Sequence, residues 1–224
     1  FAVRLKRVQV NIDNKGSVQL ERELGSLLFS YAAGVNLKAP DLCINIEVRP
    51  EGAYFFSDKF EGAGGFPIGV GGEALCLFSG GFDSTVAAWY AMRRGIEVHF
   101  VLIDMGSQAN QRSIIKIVHF LVKHWGFGYL PKLYVVKAHH FAEQLLAMPR
   151  PSYAQVILKR LMYRLADAIC HRERYQALIS GEAAGQVSSQ TLSNLVAIDH
   201  ATNKLVLRPV IMMEKTEIMN IARR

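Results

Sequence analysis

Apolar and polar positions divide the chain into two stretches of different rhythm. From Phe1 to Val10 they alternate well enough for a strand, and Asn14 to Gly16 read as a turn. Leu20, Leu24, Leu27, Leu28 and Tyr31 then recur at helical spacing behind Ser17 as a cap. "LCINIEVR" (Leu42 to Arg49) and "AYFFSDKF" (Ala53 to Phe60) predict two strands joined around Glu51 and Gly52. A strand, helix, strand, strand module of this size is small for a complete domain.

The next segment, "EGAGGFPIGVGG", carries six glycines and one proline in twelve residues and marks a linker or a backbone-rich loop. Beyond it the rhythm changes. Strands are predicted at Ala74 to Phe78, Glu97 to Ile103, Leu133 to Lys137, Ala177 to Ser180 and Leu205 to Leu207. Helices are predicted after the first strand, at Gln111 to His124, at Tyr153 to Arg172, after Ser180, and from Lys215 onward. Alternating strands and helices imply an α/β fold with a parallel sheet covered on both faces, and ligands at the carboxyl ends of its strands.

Two polar segments sit at such strand ends. In "LCLFSGGFDSTVAAWYAMRRG" the hexad Ser79–Ser84 separates the apolar run Ala74 to Phe78 from Val86, Ala87, Trp89, Tyr90 and Met92, which suit a buried helix face. Glycines at a helix N-terminus let an anion approach unpaired N–H groups at the positive end of the helix dipole. A Walker-type loop needs a lysine that this hexad lacks. A plain glycine turn capped by Asp83 or Ser84 is the bland alternative. The second segment, "ALISGEAAGQVSSQTLSNL", places Gly181 and Glu182 after a strand, then Gln186, Ser188, Ser189 and Gln190. Amides and hydroxyls in that number can read a base or ribose edge. Between the segments, Arg160 and Arg164 lie one helical turn apart, as a solvated face or a phosphate clamp.

Composition narrows the classes. At 224 residues, half of them apolar, the chain can build a core as one large or two small domains. A formal net charge of +7 suits a polyanionic partner without requiring one. The three cysteines, Cys43, Cys76 and Cys170, form no C-x-x-C, which indicates neither a zinc site nor a disulfide framework and fits a reducing cytoplasm. No apolar run reaches the length of a membrane span, and "FAVRLKRVQV" is not a signal peptide. The chain begins without Met and stops at "NIARR" within a helix, as expected of a fragment.

These residues together resemble the tRNA 4-thiouridine synthases, the tRNA sulfurtransferase (ThiI) family. "SGGFDS" is similar to the family's pyrophosphate (PP) loop, shared with other adenylating ATPases. "GEAAGQVSSQTLSNL" resembles the segment that separates this family from those relatives. "FAVRLKR" and "LCINIEVR" resemble the latter part of its tRNA-binding THUMP domain, while "GAGGFPIG" and "LRPVIMMEKTEI" resemble its linker and late ATPase-domain motifs. The resemblance implies a C-terminal part of THUMP over 1–60, a glycine-rich linker over 61–73, and a PP-loop adenylation domain over 74–224, truncated at its C-terminus.

Carried over by position, Leu77 and Phe78 lie beside the nucleotide through their backbone, and Leu102 and Ile103 on the adenine side. Lys159, Gly181 and Gln190 match further ATP-binding positions of the family that the chain resembles. By the same resemblance, Ser79, Gly80, Gly81, Asp83 and Ser84 would hold the pyrophosphate. Asp83 and Lys215 match residues required for activity. A carboxylate beside a triphosphate needs a cation between them, which assigns Asp83 to Mg²⁺, and Lys215 can stabilise charge on the α-phosphate and leaving pyrophosphate. Arg4, Lys6 and Arg7 are the candidate RNA contacts of the first module.

The implied activity is that of a tRNA uridine 4-sulfurtransferase. Uridine O4 attacks the α-phosphate of ATP, pyrophosphate leaves, and sulfur from a persulfide supplied by a cysteine desulfurase displaces AMP. The implied location is the cytoplasm, no membrane partner is expected, a homodimer is compatible, and some relatives also serve thiamine thiazole synthesis. The family's N-terminal domain, the first part of THUMP and the sulfur-handling cysteine segment have no counterpart here. Cys43, Cys76 and Cys170 read as buried structural thiols, so the chain is expected to adenylate at best. Two other readings stand beside this one: another PP-loop adenylating tRNA-thiolation enzyme or amide-forming synthetase, and a non-catalytic tRNA-binding module.

Overall fold

The structure is a computed structural model. It describes the chain except for Asp13, Ala63, Ser107, residues 147–152 and Arg224, together with the side chains of 108–110, 142, 143 and 146. Ala63 of the glycine-rich segment and the last arginine of "NIARR" therefore lie outside the described residues. The chain divides into two compact units, Phe1–Ala63 and Gly64–Arg224.

In the first unit, β1 (Ala2–Arg7) pairs in parallel with β2 (Cys43–Arg49), which pairs antiparallel with β3 (Gly52–Phe56). Helix α1 (Ser17–Leu28) lies on this sheet, with Leu20, Leu24 and Leu28 packed on Val3, Leu5 and Ile46. The sequence expectation differs in detail. Strand β1 stops at Arg7, and Gln9 turns the chain with φ 56°. Strand β3 stops at Phe56, whose carbonyl accepts from Asn45 Nδ2 at 3.3 Å, so Phe60 is not in the sheet and is 93% exposed. Leu27 and Tyr31 are exposed, because the narrow sheet receives only the i, i+4 row and the helix ends before Tyr31. Gly16 occupies the cap position, and Ser17 Oγ instead accepts from Arg7 Nε at 3.2 Å.

The second unit is a five-stranded, wholly parallel sheet in the order β6-β5-β4-β7-β8. Its strands are β4 (Glu73–Leu77), β5 (Glu97–Asp104), β6 (Leu133–Lys137), β7 (Ala177–Ile179) and β8 (Leu205–Leu207). Alternation along β4 sends Ala74, Cys76 and Phe78 to one face, where they meet α2 (Phe82–Arg93), α3 (Gln108–Trp125) and α7 (Lys215–Ala222). Leu75 and Leu77 face α5 (Ala154–Glu173) and α6 (Leu192–Asp199) on the other side. Both faces are covered, which is why the central strands read as unbroken apolar runs. One helix, α4 (His139–Leu146), was not anticipated from the sequence.

The second half of the glycine-rich segment belongs to this unit. Gly69 and Gly71 donate from N–H to the Gly95 carbonyl at 2.9 and 2.8 Å, and Phe66 donates to Arg93 O. Gly95, at φ 80°, closes α2 and leaves no space for a side chain, since a Cβ there would lie 2.7 Å from the Pro67 carbonyl oxygen. Gly95→Ala should therefore cost stability by about 1–2 kcal/mol from the left-handed backbone alone, with the clash adding to it. Denaturant unfolding checks this, and an unchanged midpoint would contradict the packing described.

Candidate active site

The strand order fixes where a site can form. From β4 the chain runs outward through β5 and β6, then returns to add β7 and β8 on the other side of β4. The connections after β4 and β7 therefore leave the sheet in opposite directions and open a crevice outside the carboxyl ends of those two strands. Ser79–Ser84 follows β4 and Gly181–Gln190 follows β7, so both polar segments singled out in the sequence border one crevice.

The first loop is built by its own hydroxyls. Ser84 Oγ lies 3.3 Å from Ser79 N, 3.2 Å from Ser79 Oγ and 3.1 Å from Gly81 O, which folds the loop around the first turn of α2. Gly81 is the N-cap residue and no side chain caps the helix, so neither Asp83 nor Ser84 takes the capping role of the bland reading. Gly80 stands at φ 77°, and a Cβ on it would meet Ile114 Cγ1 of α3 at 2.8 Å. Gly181 approaches from the second loop so closely that a Cβ there would lie 2.5 Å from Ser84 N and 2.6 Å from Asp83 C.

Asp83 points from the first turn of α2 toward the N-terminus of α7. Lys215 Nζ donates to both of its carboxylate oxygens at 2.7 Å, and Gln186 Nε2 donates to one of them at 3.4 Å. Lys215 is the first residue of α7, an unfavourable place for a cation beside the helix dipole. Two carboxylates offset this: Glu214 and Glu217 form a reciprocal capping box around the same turn. The pair is partly open, with side-chain exposures of 43% for Lys215 and 25% for Asp83.

Leu77, Phe78, Leu102 and Ile103 are buried at the carboxyl ends of adjacent strands, with Leu77 level with Val101 in the register. Their side chains belong to the core, which leaves only backbone for a ligand. Gln190 is 8% exposed and its Oε1 is one of two buried side-chain polar atoms without a hydrogen-bond partner among the described residues. Such an acceptor is costly unless a donor arrives.

Lys159 reaches the crevice from α5 but is held by Glu182, its Nζ 2.7 Å from Oε1. Glu182, 3% exposed, also accepts from Tyr163 OH at 2.6 Å and Arg208 Nε at 2.9 Å, while Arg208 pairs with Asp199. Burial works to raise the Glu182 pKa, but Lys159 beside it and these hydrogen bonds hold it below the usual carboxylate value. The sequence had placed Glu182 only as a residue following the strand. Its partners lie on α5 and just after β8, which no local spacing reveals. Arg160 Nη1 donates to the Ala197 carbonyl, and with Arg164 it lines a separate cavity of about 340 Å³ between α4 and α5, away from the two loops.

The thiols are not part of the site. Cys76 and Cys170 are fully buried; burial raises the Cys76 pKa strongly and pushes Cys170 up to about 12. Cys43 differs from expectation in being half-buried at the start of β2. In the first unit, Arg4 donates to Leu37 O, Lys6 pairs with Glu47 at 3.5 Å, and Arg7 donates to Lys15 O and Ser17 Oγ, so all three candidate RNA residues have intramolecular partners. Among the described residues no group of three or more His, Cys, Asp or Glu could hold a metal, and no helix is long and apolar enough to cross a membrane.

Residues 69–224 match the family described as Thiamine biosynthesis protein (ThiI). A tRNA sulfurtransferase from Desulfurococcus amylolyticus is 41% identical across the whole of this chain, and one from Pseudomonas syringae pv. syringae is 39% identical over 99% of it. The chain spans 46% of the length of each. A 4-thiouridine synthetase, solved as an RNA complex with bound ATP, superposes with a TM-score of 0.80 at 32% identity, covering 99% of this chain and 58% of that one. PH1313 from Pyrococcus horikoshii, at 20% identity and a TM-score of 0.67, shares the fold.

Glu182→Gln should lower stability by about 3 kcal/mol at neutral pH, because it leaves two cations facing a neutral amide. A carboxylate whose pKa is lowered on folding stabilises above its unfolded value, near 4.5, and loses that contribution as the pH falls through the folded value. The gap between parent and variant should accordingly narrow below about pH 4.5. Denaturant titrations from neutral to acid pH measure it, and a gap that stays constant would refute the charged assignment.

Proposed function

The chain belongs to the ThiI family, and on that premise we propose that it carries the tRNA-docking and ATP-dependent adenylating parts of a tRNA sulfurtransferase forming 4-thiouridine. The observation that carries this reading is the convergence of Ser79–Ser84, Gly181 and the Asp83–Lys215 pair on one crevice at the sheet's switch point. In this reading 1–60 is the latter part of a THUMP domain, 61–73 the linker, and 74–224 the adenylation domain.

The N–H groups at the start of α2 and the hydroxyls of Ser79 and Ser84 bind the polyphosphate of ATP. Gln190 Oε1 meets a donor of the nucleoside, and the backbone at Leu77, Phe78, Leu102 and Ile103 lines its base. The close approach of Gly181 keeps the two loops in register, and Lys159, positioned by Glu182, faces the same nucleotide. Lys215 leaves Asp83 for the phosphates and stabilises the charge that develops as uridine O4 bonds to the α-phosphorus and the bond to pyrophosphate breaks. Adenylation converts an amide-like oxygen, a poor leaving group, into AMP. The terminal sulfur of a persulfide then bonds to the base carbon as AMP departs with the oxygen, and a second thiol breaks the S–S bond, which releases the thiolated base and leaves a disulfide.

Mg²⁺ fits this donor set in one way only. Asp83 supplies a single carboxylate, which suits an ion that takes one or two carboxylates and completes its shell with phosphates and water. Bound there, the ion would neutralise phosphate charge. With Cys76 and Cys170 fully buried and Cys43 part of the first unit's sheet, sulfur is brought by a cysteine outside this sequence, and a cysteine desulfurase is the fitting donor. The reaction belongs in the cytoplasm, where tRNA and reduced thiols coexist, and a homodimer is compatible with it.

Asp83→Ala should abolish tRNA-dependent ATP turnover in the complete protein while leaving the fold intact, since Asp83 fills no core volume. Pyrophosphate exchange with and without tRNA tests this, and parent-like turnover would end the assignment. Lys215→Met should lower the adenylation rate by about 10²-fold or more with ATP affinity nearly kept, because its charge acts on the transition state. A parent-like rate with weaker ATP binding would make Lys215 a ground-state contact instead.

A further inference from the structure

The sequence between Asp104 and Glu143 contains no acidic residue, yet it carries Arg112, Lys116, Lys123, Lys132 and Lys137. Helix α3 takes the first three of these. Its buried row, Ile114, Val118 and Leu121, faces the sheet. The opposite row exposes Arg112, Lys116, His119 and Lys123, with Phe120 between them at 57% exposure. Arg112 and Lys123 are eleven residues apart, about 16 Å along the helix.

What sets this row apart is alignment: among the described residues, three cations without a carboxylate partner share one exposed helix face, whereas the other unpaired cations of the unit, such as Arg94, Arg174 and Lys204, are scattered. Elsewhere in the same unit Lys132, Lys159, Arg172, Arg208 and Lys215 each meet a carboxylate. Arg112, Lys116 and Lys123 have no carboxylate partner among the described residues. A helix without one acid along its own length offers a positive potential along its outer row, with the Asp104 carboxylate, bonded by Gln111 Nε2 at 2.7 Å, lying only at its start. The helix itself starts beside the site: a Cβ on Gly80 of the first loop would meet Ile114 Cγ1, on the buried side of α3, at 2.8 Å.

We infer that the outer face of α3 is an RNA-docking surface, on which Arg112, Lys116 and Lys123 neutralise successive phosphates while Phe120 offers an aromatic face to an unstacked base. This rests on the reading of tRNA as substrate and extends RNA contact from the first unit to the ATPase unit itself. Phosphate contacts of this kind fix position without reading sequence. On α3 they hold the strand beside the phosphate loop, where the uridine must arrive.

The test is tRNA binding by the complete protein across a salt series. Neutralising the row as Arg112→Gln, Lys116→Gln and Lys123→Gln together should weaken binding about tenfold or more at moderate salt, and reduce the slope of log K against log salt by about 2–3. ATP affinity without tRNA should stay at the parent value, which also shows that the variant is folded. A control removes the same charge from the opposite side of the sheet through Arg172→Gln, Arg174→Gln and Lys204→Gln, and should leave the slope as in the parent. An unchanged slope in the α3 variant, or an equal drop in the control, overturns the surface. If the parent itself fails to bind tRNA, the substrate reading falls, and this surface with it.

Discussion

The contact on which the rest of the site depends is the approach of Gly181 to the first turn of α2. A strand order that reverses at β4 brings two chain segments, a hundred residues apart in sequence, to the same edge of the sheet. Only a residue without a side chain lets the second lie against the backbone of Ser84 and Asp83. Once that contact is made, the loop around Ser79 and Ser84 is walled on one side by Gly181 and on the other by Ile114 of α3. The N–H groups of the helix are then presented outward, toward the crevice, and not to the core.

The pairing of Asp83 with Lys215 follows from the same frame. Helix α7 packs through Ile218 into the core face shared with α2, which brings its first residue over the first turn of that helix. The capping box of Glu214 and Glu217 makes a lysine tolerable at that position, so local helix chemistry and the long-range ion pair depend on one another. Glu182 performs a parallel task on the other wall. It is buried and answered by Lys159, Tyr163 and Arg208, and it ties α5 and the segment after β8 to the loop after β7. Both walls are thus held by charge, and both charges are satisfied within the protein.

Much of this was legible in the sequence because it is local. The change from apolar run to "SGGFDS" to amphipathic helix marks a strand-to-helix seam wherever it occurs, and the alternation of strands and helices implies a parallel sheet. Long-range pairing was not legible: 132 residues separate Asp83 from Lys215, and the carboxylate of Glu182 finds its partners on α5 and beside β8. Propensity also misjudged the ends of elements. "AYFFSDKF" has the residues of a long strand, but its pairing stops where Asn45 caps the Phe56 carbonyl, so the remaining residues stay outside the sheet. The basic residues near the N-terminus looked available as sequence, whereas in the fold their side chains have partners nearby.

The central claim is that the crevice between β4 and β7 takes ATP and that Lys215 changes partner when it does. A crystal structure of the complete protein with a non-hydrolysable ATP analogue tests this most directly. The account predicts the polyphosphate against the N–H groups of Gly81–Ser84, with Lys215 Nζ withdrawn from the 2.7 Å contacts to Asp83 and placed on the phosphates. An analogue bound away from this crevice, or seated in it with the Asp83–Lys215 pair still closed, would contradict it.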